Sequence, residues 1–167
     1  DFCLSRGLGD VYKRQAQITI DAVKAKKDVL VEKPMAMNEK ELEKVVKQIL
    51  KSIVNFAVGF NRRFSPFSVK AKELLDEKEG PIIINYNVNA GPLPSDHWIY
   101  DSKEGGGRIV GEFCHFFDLF NYFIGSEPVE ITTKSISSEQ KNIRDEDNVV
   151  INIKYKDGSL ANLIYNS

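Results

Sequence analysis

The chain has 167 residues, with 23 basic and 24 acidic side chains, a formal charge of −1, two cysteines and 42% hydrophobic residues. A chain of this size can bury a core, and its balanced charge gives no reason to expect a nucleic-acid or membrane surface. No apolar run approaches the roughly 20 residues of a membrane span. Two cysteines are too few for a disulfide scaffold, so we expect a reducing, cytoplasmic setting.

The two ends of the chain look incomplete. Residues 1–15, DFCLSRGLGDVYKRQ, show neither helical nor strand periodicity. Within them, SRGLGDVYKRQ resembles translated adapter sequence from the edges of metagenomic gene fragments, so we predict a non-native, disordered segment outside the fold. The alternative is a genuine flexible N-terminus. Residues 160–167 read as a strand that stops in mid-pattern, so we expect this chain to be part of a protein roughly twice as long.

Helices and short apolar runs alternate between residues 16 and 62. A helix over 16–27 closes on basic residues, which suit a helix C-terminus. Asn38 begins a second helix as its N-cap, with Glu41 in capping-box position. Two apolar runs are typical of buried parallel strands, DVLVE at 28–32 and VNFAVGF at 54–60. This order predicts half of a doubly wound α/β domain over residues 16–62.

The pattern changes after residue 62. Two helices are predicted, 65–78 with Pro66 at its first position, and 109–124, which Gly125 ends. Four alternating segments read as strands: 82–89, 129–137, 148–156 and 159–166. Asp157-Gly158 between the last two is a strong hairpin signal. Residues 63–167 are therefore predicted to form an α+β domain with an antiparallel or mixed sheet and helices on one face.

Lys33 is the first candidate for a functional residue. It follows the first predicted strand directly, at the carboxyl end, where ligands bind in open α/β sheets. Pro34 stiffens the backbone there, and an X-Pro bond can be cis in a tight turn. A lysine held in this way could hydrogen-bond a substrate oxygen or a cofactor ribose. The alternative is a solvated loop lysine beside Glu32.

Glu112 and His115 form the second candidate pair. They lie three residues apart on a predicted helix and so share a face, where the carboxylate could orient the imidazole and raise its pKa. Such a histidine can exchange a proton with a hydroxyl near neutral pH. The alternative is a packed histidine in an aromatic stripe. The glycine run at 105–107 favours the functional interpretation, because small residues let backbone approach a ligand.

Two further clusters are weaker candidates. Asp96-His97-Trp98 lies in a long loop, and such loops often line binding sites, although a solvated loop with Trp98 covering the core edge is an equal alternative. Arg62-Arg63 could hold an anionic or hydroxylated ligand, although a bare basic pair is more often solvated. No cysteine or histidine cluster has zinc spacing, so we expect no metal site.

Three segments together resemble the glucose–fructose oxidoreductase / inositol dehydrogenase / MocA (Gfo/Idh/MocA) family of nicotinamide-dependent dehydrogenases: VLVEKPMAMN at 29–38, VGFNRRFSP at 58–66, and DHW…GGGRIVGEFCHFFDL at 96–119. The resemblance implies the C-terminal half of a Rossmann domain, then a substrate and catalytic domain on a large, mostly antiparallel open sheet. In the family the Gly-x-Gly-x-x-Gly turn precedes the part that this sequence matches. We therefore expect the chain alone to be inactive and to bind dinucleotide weakly.

The resemblance also assigns roles to residues. Lys33, between Glu32 and Pro34, takes the place of the active-site lysine beside nicotinamide and substrate. His115 takes the place of the catalytic histidine, which accepts the hydroxyl proton. The family frequently has an aspartate four residues before this histidine; here that position is Gly111. Glu112, next to it, is the candidate for the missing carboxylate.

The remaining implications concern the substrate. The residues that fall where family members line the substrate pocket are Asn61, Arg62, Asp96 and His97, with Trp98 beside them. The implied reaction transfers a hydride between NAD or NADP and a hydroxyl or carbonyl of a sugar, cyclitol or nucleotide-sugar. The alternatives are NAD-linked glycoside cleavage and a non-catalytic sugar-binding domain of a fused protein. The family's C-terminal sheet implies a homo-oligomer.

Overall fold

The structure of the chain, a computed structural model, describes residues 8–140 and 143–167. It divides into two compact units. The first contains the described residues up to Phe60 together with Asp96–Cys114, and the second contains Asn61–Ser95 and His115–Ser167. The division after Phe60 lies close to the predicted boundary at 62. Residues 96–114 differ from the prediction, because their loop packs within the first unit.

The first helix, α1 (Leu8–Lys24), corrects one expectation. We predicted disorder for residues 1–15, yet the chain is helical from Leu8, while residues 1–7 lie outside the described part. Gln15 is buried, and its side-chain amide donates to the carbonyl of Glu32. Helical order there comes from packing on the rest of the unit, which periodicity within the segment does not reveal. Its non-native origin remains a prediction.

The rest of the first unit contains β1 (Val29–Val31), α2 (Glu39–Ile49) and β2 (Phe56–Val58). The two strands pair in parallel, as predicted. Asn38 caps α2 through its side-chain oxygen, which accepts from the N–H of Glu41 at 3.0 Å. The Glu41 carboxylate accepts in turn from the N–H of Met37 at 3.1 Å. The capping residues therefore act at the predicted helix start.

The burial of these strands differs from the prediction. Val31 is 6% exposed, but Leu30 is 78% exposed. Both strands are only three residues long, and alternate side chains of a strand point to opposite faces. Helix α1 packs against β1 and covers one face of this described two-stranded sheet. An apolar run of this kind predicts burial on both faces, and here only one face is covered.

The second unit begins with a 3₁₀ turn (Asn61–Phe64) and α3 (Pro66–Asp76), which Ser65 caps. Its other elements are β3 (Ile83–Asn89), α4 (Cys114–Ile124, in this unit from His115), β4 (Pro128–Ser135), β5 (Val149–Tyr155) and β6 (Leu160–Asn166). The strand order is β3-β6-β5-β4. β3 and β6 are parallel and the other pairs are antiparallel, which confirms the predicted, mostly antiparallel sheet.

The core of the second unit follows strict strand alternation. Every second residue of β5 is buried, from Val149 to Tyr155, and β6 alternates in the same way. The buried residues of α4 are largely aromatic or aliphatic, and Phe116 contacts the rings of Tyr86 and Tyr165. Gly158, at φ +92°, lies in the predicted turn between β5 and β6. The opposite sheet face is exposed.

The helix predicted over 109–124 has two parts. Ile109–Phe113 forms a single π turn, and α4 continues from Cys114 to Ile124. Gly125, at φ +70°, follows its end as predicted. π turns are rare and occur mostly as single insertions in α-helices, frequently at functional sites.

No helix in the described part of the chain is both long and apolar enough to cross a membrane.

Candidate active site

Lys33 stands immediately beyond β1, at its carboxyl end. The Lys33–Pro34 peptide bond is cis. The Lys33 ammonium group donates a hydrogen bond to the backbone carbonyl of Gly111, with Nζ and O 2.8 Å apart. This bond joins residues 78 positions apart in the sequence, both within the first unit. Lys33 is therefore held by a specific partner and is not a solvated loop lysine.

The glycine run upstream of the π turn packs closely on neighbouring parts of the chain. A Cβ atom on Gly105 would lie 2.3 Å from the backbone of Ile99, and one on Gly106 would lie 2.8 Å from the Met37 methyl group. The N–H groups of both glycines donate to the carbonyl of Asp101. These glycines therefore let the loop close tightly on its own chain. Their approach to a ligand remains a prediction.

Glu112 lies in the π turn and faces Arg108. Arg108 Nε and Glu112 Oε1 are 3.5 Å apart, and Arg108 is only 3% exposed. The expectation that Glu112 and His115 share a face assumed α-helical spacing. Because a π turn holds more residues than an α turn, that spacing does not apply across the junction at Cys114. The orienting role of Glu112 on His115 stays a prediction.

Tyr12 also belongs to the first unit, and sequence reasoning missed it because residues 1–15 were excluded from the fold. Its ring lies 5.4 Å from that of Trp98. Burial raises the pKa of the Tyr12 phenol, and the nearby Cys114, Glu32 and Glu112 act in the same direction. The tyrosine therefore lies in the same neighbourhood as two candidate site carboxylates.

The loop residues Asp96, His97 and Trp98 have different surroundings. The Nδ1 atom of His97 accepts from the N–H of Ile99 at 3.3 Å, and its ring lies 5.7 Å from that of Trp98. Trp98 is half-buried, whereas Asp96 is exposed. His97 thus caps the short 3₁₀ turn Trp98–Tyr100. A role of these side chains in binding a substrate remains a prediction.

Two adjacent arginines in the second unit behave differently. Arg63 Nε donates to Asp118 at 2.9 Å, and its Nη2 forms a second bond to the same carboxylate. This hydrogen bonding to Asp118 raises the pKa of Arg63. The guanidinium of Arg62 stacks over the ring of Phe116, 4.6 Å from its centroid. Among the residues that the structure describes, Arg63 has a carboxylate partner and Arg62 has none, so Arg62 is the uncompensated cation of the pair.

The second unit also holds His115 and Asn61. His115 is 9% exposed and lies in the first turn of α4, four residues beyond Gly111 along the same helical segment. Asn61 is exposed at the start of the 3₁₀ turn.

The candidate residues therefore fall into two groups. The first unit contains Glu32, Lys33, Pro34, Asp96, His97, Trp98 and Glu112, and the second contains Asn61, Arg62 and His115. Among the residues that the structure describes, no group of three or more His, Cys, Asp or Glu side chains could hold a metal ion.

Two α/β units, the first with a parallel strand pair and the second with a mixed sheet, define the fold class, and comparison with protein families identifies the family. The family model for the GFO/IDH/MocA C-terminal domain matches residues 69–167. The family model for oxidoreductases with an NAD-binding Rossmann fold matches residues 10–60. The chain belongs to the Gfo/Idh/MocA family of NAD-binding oxidoreductases. The second match begins inside the segment that we predicted to be non-native.

Curated relatives agree with this family. The oxidoreductase YrbE of Bacillus subtilis, described as uncharacterized, is 28% identical over 151 residues, which cover 87% of this chain and 43% of YrbE. Myo-inositol 2-dehydrogenase of Thermotoga maritima is 27% identical over 152 residues, 87% of this chain and 44% of that enzyme. The chain thus spans less than half the length of these relatives.

Solved structures share the fold. A probable dehydrogenase from Thermotoga maritima superposes with a TM-score of 0.73 at 24% identity, over 93% of this chain and 48% of that one. The WlbA dehydrogenase of Bordetella pertussis, solved with NADH and UDP-GlcNAcA, gives 0.76 at 17% identity, over 93% and 49% of the two chains. At these identities the similarity establishes the architecture.

Proposed function

We propose that the whole protein transfers a hydride between NAD(P) and a hydroxyl or carbonyl group of a sugar, cyclitol or nucleotide-sugar. The observation that carries this proposal is the Lys33 ammonium group, held by the Gly111 carbonyl at the carboxyl end of β1. Ligands of open α/β sheets bind at that edge. The inositol dehydrogenases among the relatives, from Thermotoga maritima and Bacillus subtilis, support a polyol substrate.

The donor set at this edge fits the nicotinamide end of a dinucleotide. Glu32, Lys33 and Pro34 follow β1 directly, and the lysine supplies a cationic hydrogen-bond donor for ribose or substrate oxygens. When bound, the nicotinamide ring supplies the acceptor or donor of the hydride. We assign these three residues to hold that end of the cofactor.

Lys33 and His115 are assigned separate roles in the reaction. One N–H of the lysine is committed to Gly111, which leaves two donors for the substrate oxygen. Their positive charge stabilises the oxyanion that develops as the hydroxyl is oxidised. His115 accepts the hydroxyl proton as the C–H bond breaks and the carbonyl forms, and returns it during reduction. Glu112 is the candidate that orients this histidine.

Substrate recognition is assigned to the polar side chains outside this pair. Arg62 offers a guanidinium that lies over the ring of Phe116 and has no carboxylate partner in the described part of the chain, so it suits a hydroxyl pair or an anionic group. The other residues proposed to contact substrate are Asn61, Asp96, His97 and Trp98. An aromatic side chain such as Trp98 can stack on the apolar face of a sugar ring.

The test measures turnover of the whole protein on a panel of polyols and sugars, followed by nicotinamide absorbance. We expect Lys33→Met and His115→Gln to lower kcat/KM by roughly 100-fold or more, in the range of lost electrostatic and acid–base catalysis. Lys156→Met, on an exposed surface, is the matched control. Unchanged turnover in both variants would refute the mechanism. Release of an aglycone without net change in nicotinamide absorbance would instead indicate NAD-linked glycoside cleavage.

We further propose that the whole protein self-associates through the exposed face of the second unit's sheet. That face carries several exposed aliphatic side chains in neighbouring strands: Ile83, Val150, Leu160 and Ile164. Contiguous exposed apolar groups of this kind mark interaction surfaces. Sedimentation of Ile164→Lys against wild type tests this: a shift toward monomer supports the proposal, and an unchanged oligomer contradicts it.

A further inference from the structure

The hydrogen-bond partner of Lys33 is a backbone carbonyl, that of Gly111. We infer that the carbonyl of Gly111, presented by the π turn, is the group that positions the Lys33 ammonium, in place of a side-chain carboxylate. The Nζ–O distance of 2.8 Å is that of a short, charge-assisted hydrogen bond. The inference rests on the proposed function, because it assigns Lys33 to the reacting centre.

The carbonyl that Lys33 contacts belongs to the π turn. In an α-helix each interior carbonyl accepts from the N–H four residues later, and it has no need of a side-chain donor. A π turn inserts one extra residue into this series of hydrogen bonds, which shifts the backbone donors of the carbonyls around it. Gly111 is the central residue of Ile109–Phe113. Lys33 therefore donates to a carbonyl inside the irregular turn.

The loop before the turn brings this carbonyl to Lys33. Ile99 and Gly105 touch backbone to backbone, because a Cβ at Gly105 would lie 2.3 Å from Ile99. The side chain of Ile99 then lies beside Gly111, with its Cδ1 atom 3.5 Å from the place of a Gly111 Cβ. This is ordinary van der Waals contact. The glycine at 111 is therefore not required sterically, and a small side chain fits there.

The carboxylate that follows Gly111 in the sequence has an arginine partner. Glu112 pairs with the buried Arg108, Nε to Oε1 at 3.5 Å. In the part of the chain that the structure describes, Lys33 makes no ion pair within 4 Å. A neutral carbonyl orients the ammonium group without forming an ion pair with it. The charge of Lys33 is therefore directed to the substrate oxygen and is not shared with a carboxylate in contact.

The experiment detects this hydrogen bond directly in the 167-residue chain. The protein is labelled with ¹⁵N-lysine and with glycine carrying ¹³C at its carbonyl, and NMR measures the scalar coupling between Lys33 ¹⁵Nζ and Gly111 ¹³C′. Lys33→Arg identifies the signal by its loss, and the exposed Lys156 provides a lysine that should show no such coupling. We expect the Lys33 coupling in the wild type. Its absence overturns the inference.

Two variants test whether the Gly111 carbonyl or the Glu112 carboxylate positions Lys33. Glu112→Gln removes the charge but keeps the length of the side chain, and we expect the Lys33–Gly111 coupling to persist, because Glu112 pairs with Arg108. Gly111→Ala, labelled at the alanine carbonyl, should also keep it, since the added methyl group fits beside Ile99. Loss of the coupling in folded Glu112→Gln would show that the carboxylate positions the lysine, and would overturn the inference.

The failure of this inference can be told apart from that of the proposed function. If the coupling is present but Lys33→Met in the whole protein leaves kcat unchanged, the proposed function fails and the hydrogen bond stands. If the coupling is absent and Lys33→Met lowers kcat at least tenfold, the inference fails and the function stands. With both results positive, Lys33 acts on substrate and Gly111 is a positioning residue.

Discussion

The two units of this chain are stabilised in different ways. The second has a four-stranded sheet of seven- and eight-residue strands, with one continuous buried face formed by alternate residues. The first has two strands of three residues, and its loop at 96–107 closes through contacts such as that of Gly105 on Ile99. Regular strand pairing stabilises the second unit, whereas the packing of α1 on α2 and β1, together with long-range loop contacts, stabilises the first.

The largest expected difference is between two leucines on strands. Leu163 of β6 is 0% exposed, and Leu30 of β1 is 78% exposed. Leu163→Ala should lower the free energy of unfolding by about 2–5 kcal/mol, because it leaves a cavity. Leu30→Ala should change it by less than about 0.5 kcal/mol. Urea unfolding followed by circular dichroism measures both. Equal effects would show that the first unit has a core as extensive as that of the second.

The next effect concerns the paired arginine of the second unit. Asp118→Asn weakens the two hydrogen bonds that join Arg63 to α4, and we expect a loss of about 1.5–3 kcal/mol, typical of hydrogen bonds to charged groups. Glu73→Gln breaks the exposed pair with Lys70 and should cost less than about 0.5 kcal/mol. If the two variants unfold at the same urea concentration, Asp118 does not anchor the turn that presents Arg62.

Tyr155 gives the second unit a dependence on alkaline pH. Burial, with a smaller contribution from Asp157, raises the pKa of Tyr155 from 10.0 to about 12. The folded state therefore holds the proton more tightly than the unfolded chain. The resulting stability is complete below pH 10 and is lost as the pH rises toward 12, by at most about 2 kcal/mol. Tyr155→Phe should abolish this loss of stability. Urea midpoints between pH 9 and 12 measure it, and an unchanged slope contradicts the assignment.

The smallest effect compares one exposed carboxylate from each unit. Hydrogen bonds lower the pKa of Asp28, from the N–H of Asn55, and of Asp157, from Ser159. A lowered pKa means that the stabilisation is present above the carboxylate's usual value and is lost as the pH falls through the folded-state value. Asp28→Asn and Asp157→Asn should each flatten the acid limb of the stability curve slightly, by less than the Tyr155 effect. A steeper acid limb in either variant would contradict this.

Much of the fold was predictable because its signals are local. Asn38 with Glu41 begins a helix as expected, Gly125 ends one, and Asp157-Gly158 joins two strands. The alternation at 148–156 and 159–166 predicted two strands, and the structure contains β5 and β6 there. Each of these signals depends on residues a few positions apart, where backbone sterics and side-chain capping decide the outcome.

The site could be predicted only in part, because its contacts join distant residues. The sequence singled out Lys33 from its position at a strand end, but not its bond to Gly111, 78 residues away. Arg63 looked like a solvated residue until Asp118, 55 residues later, provided its partner. The π turn has no periodicity signal, so a regular helix was expected. Leu30 looked buried because an apolar run does not tell which face another element covers.

The parallel pairing of β3 with β6 has a consequence for how the protein is made. Ile83 pairs with Leu160 and Asn89 with Asn166, so 77 residues of chain separate each residue of β3 from its partner. On the ribosome, β3 emerges long before the strand that completes its hydrogen bonds. Such distant pairing slows folding and leaves a strand edge open in the meantime. The sheet of the second unit can therefore close only once β6 has emerged, when the antiparallel pair β4–β5 has already had time to form.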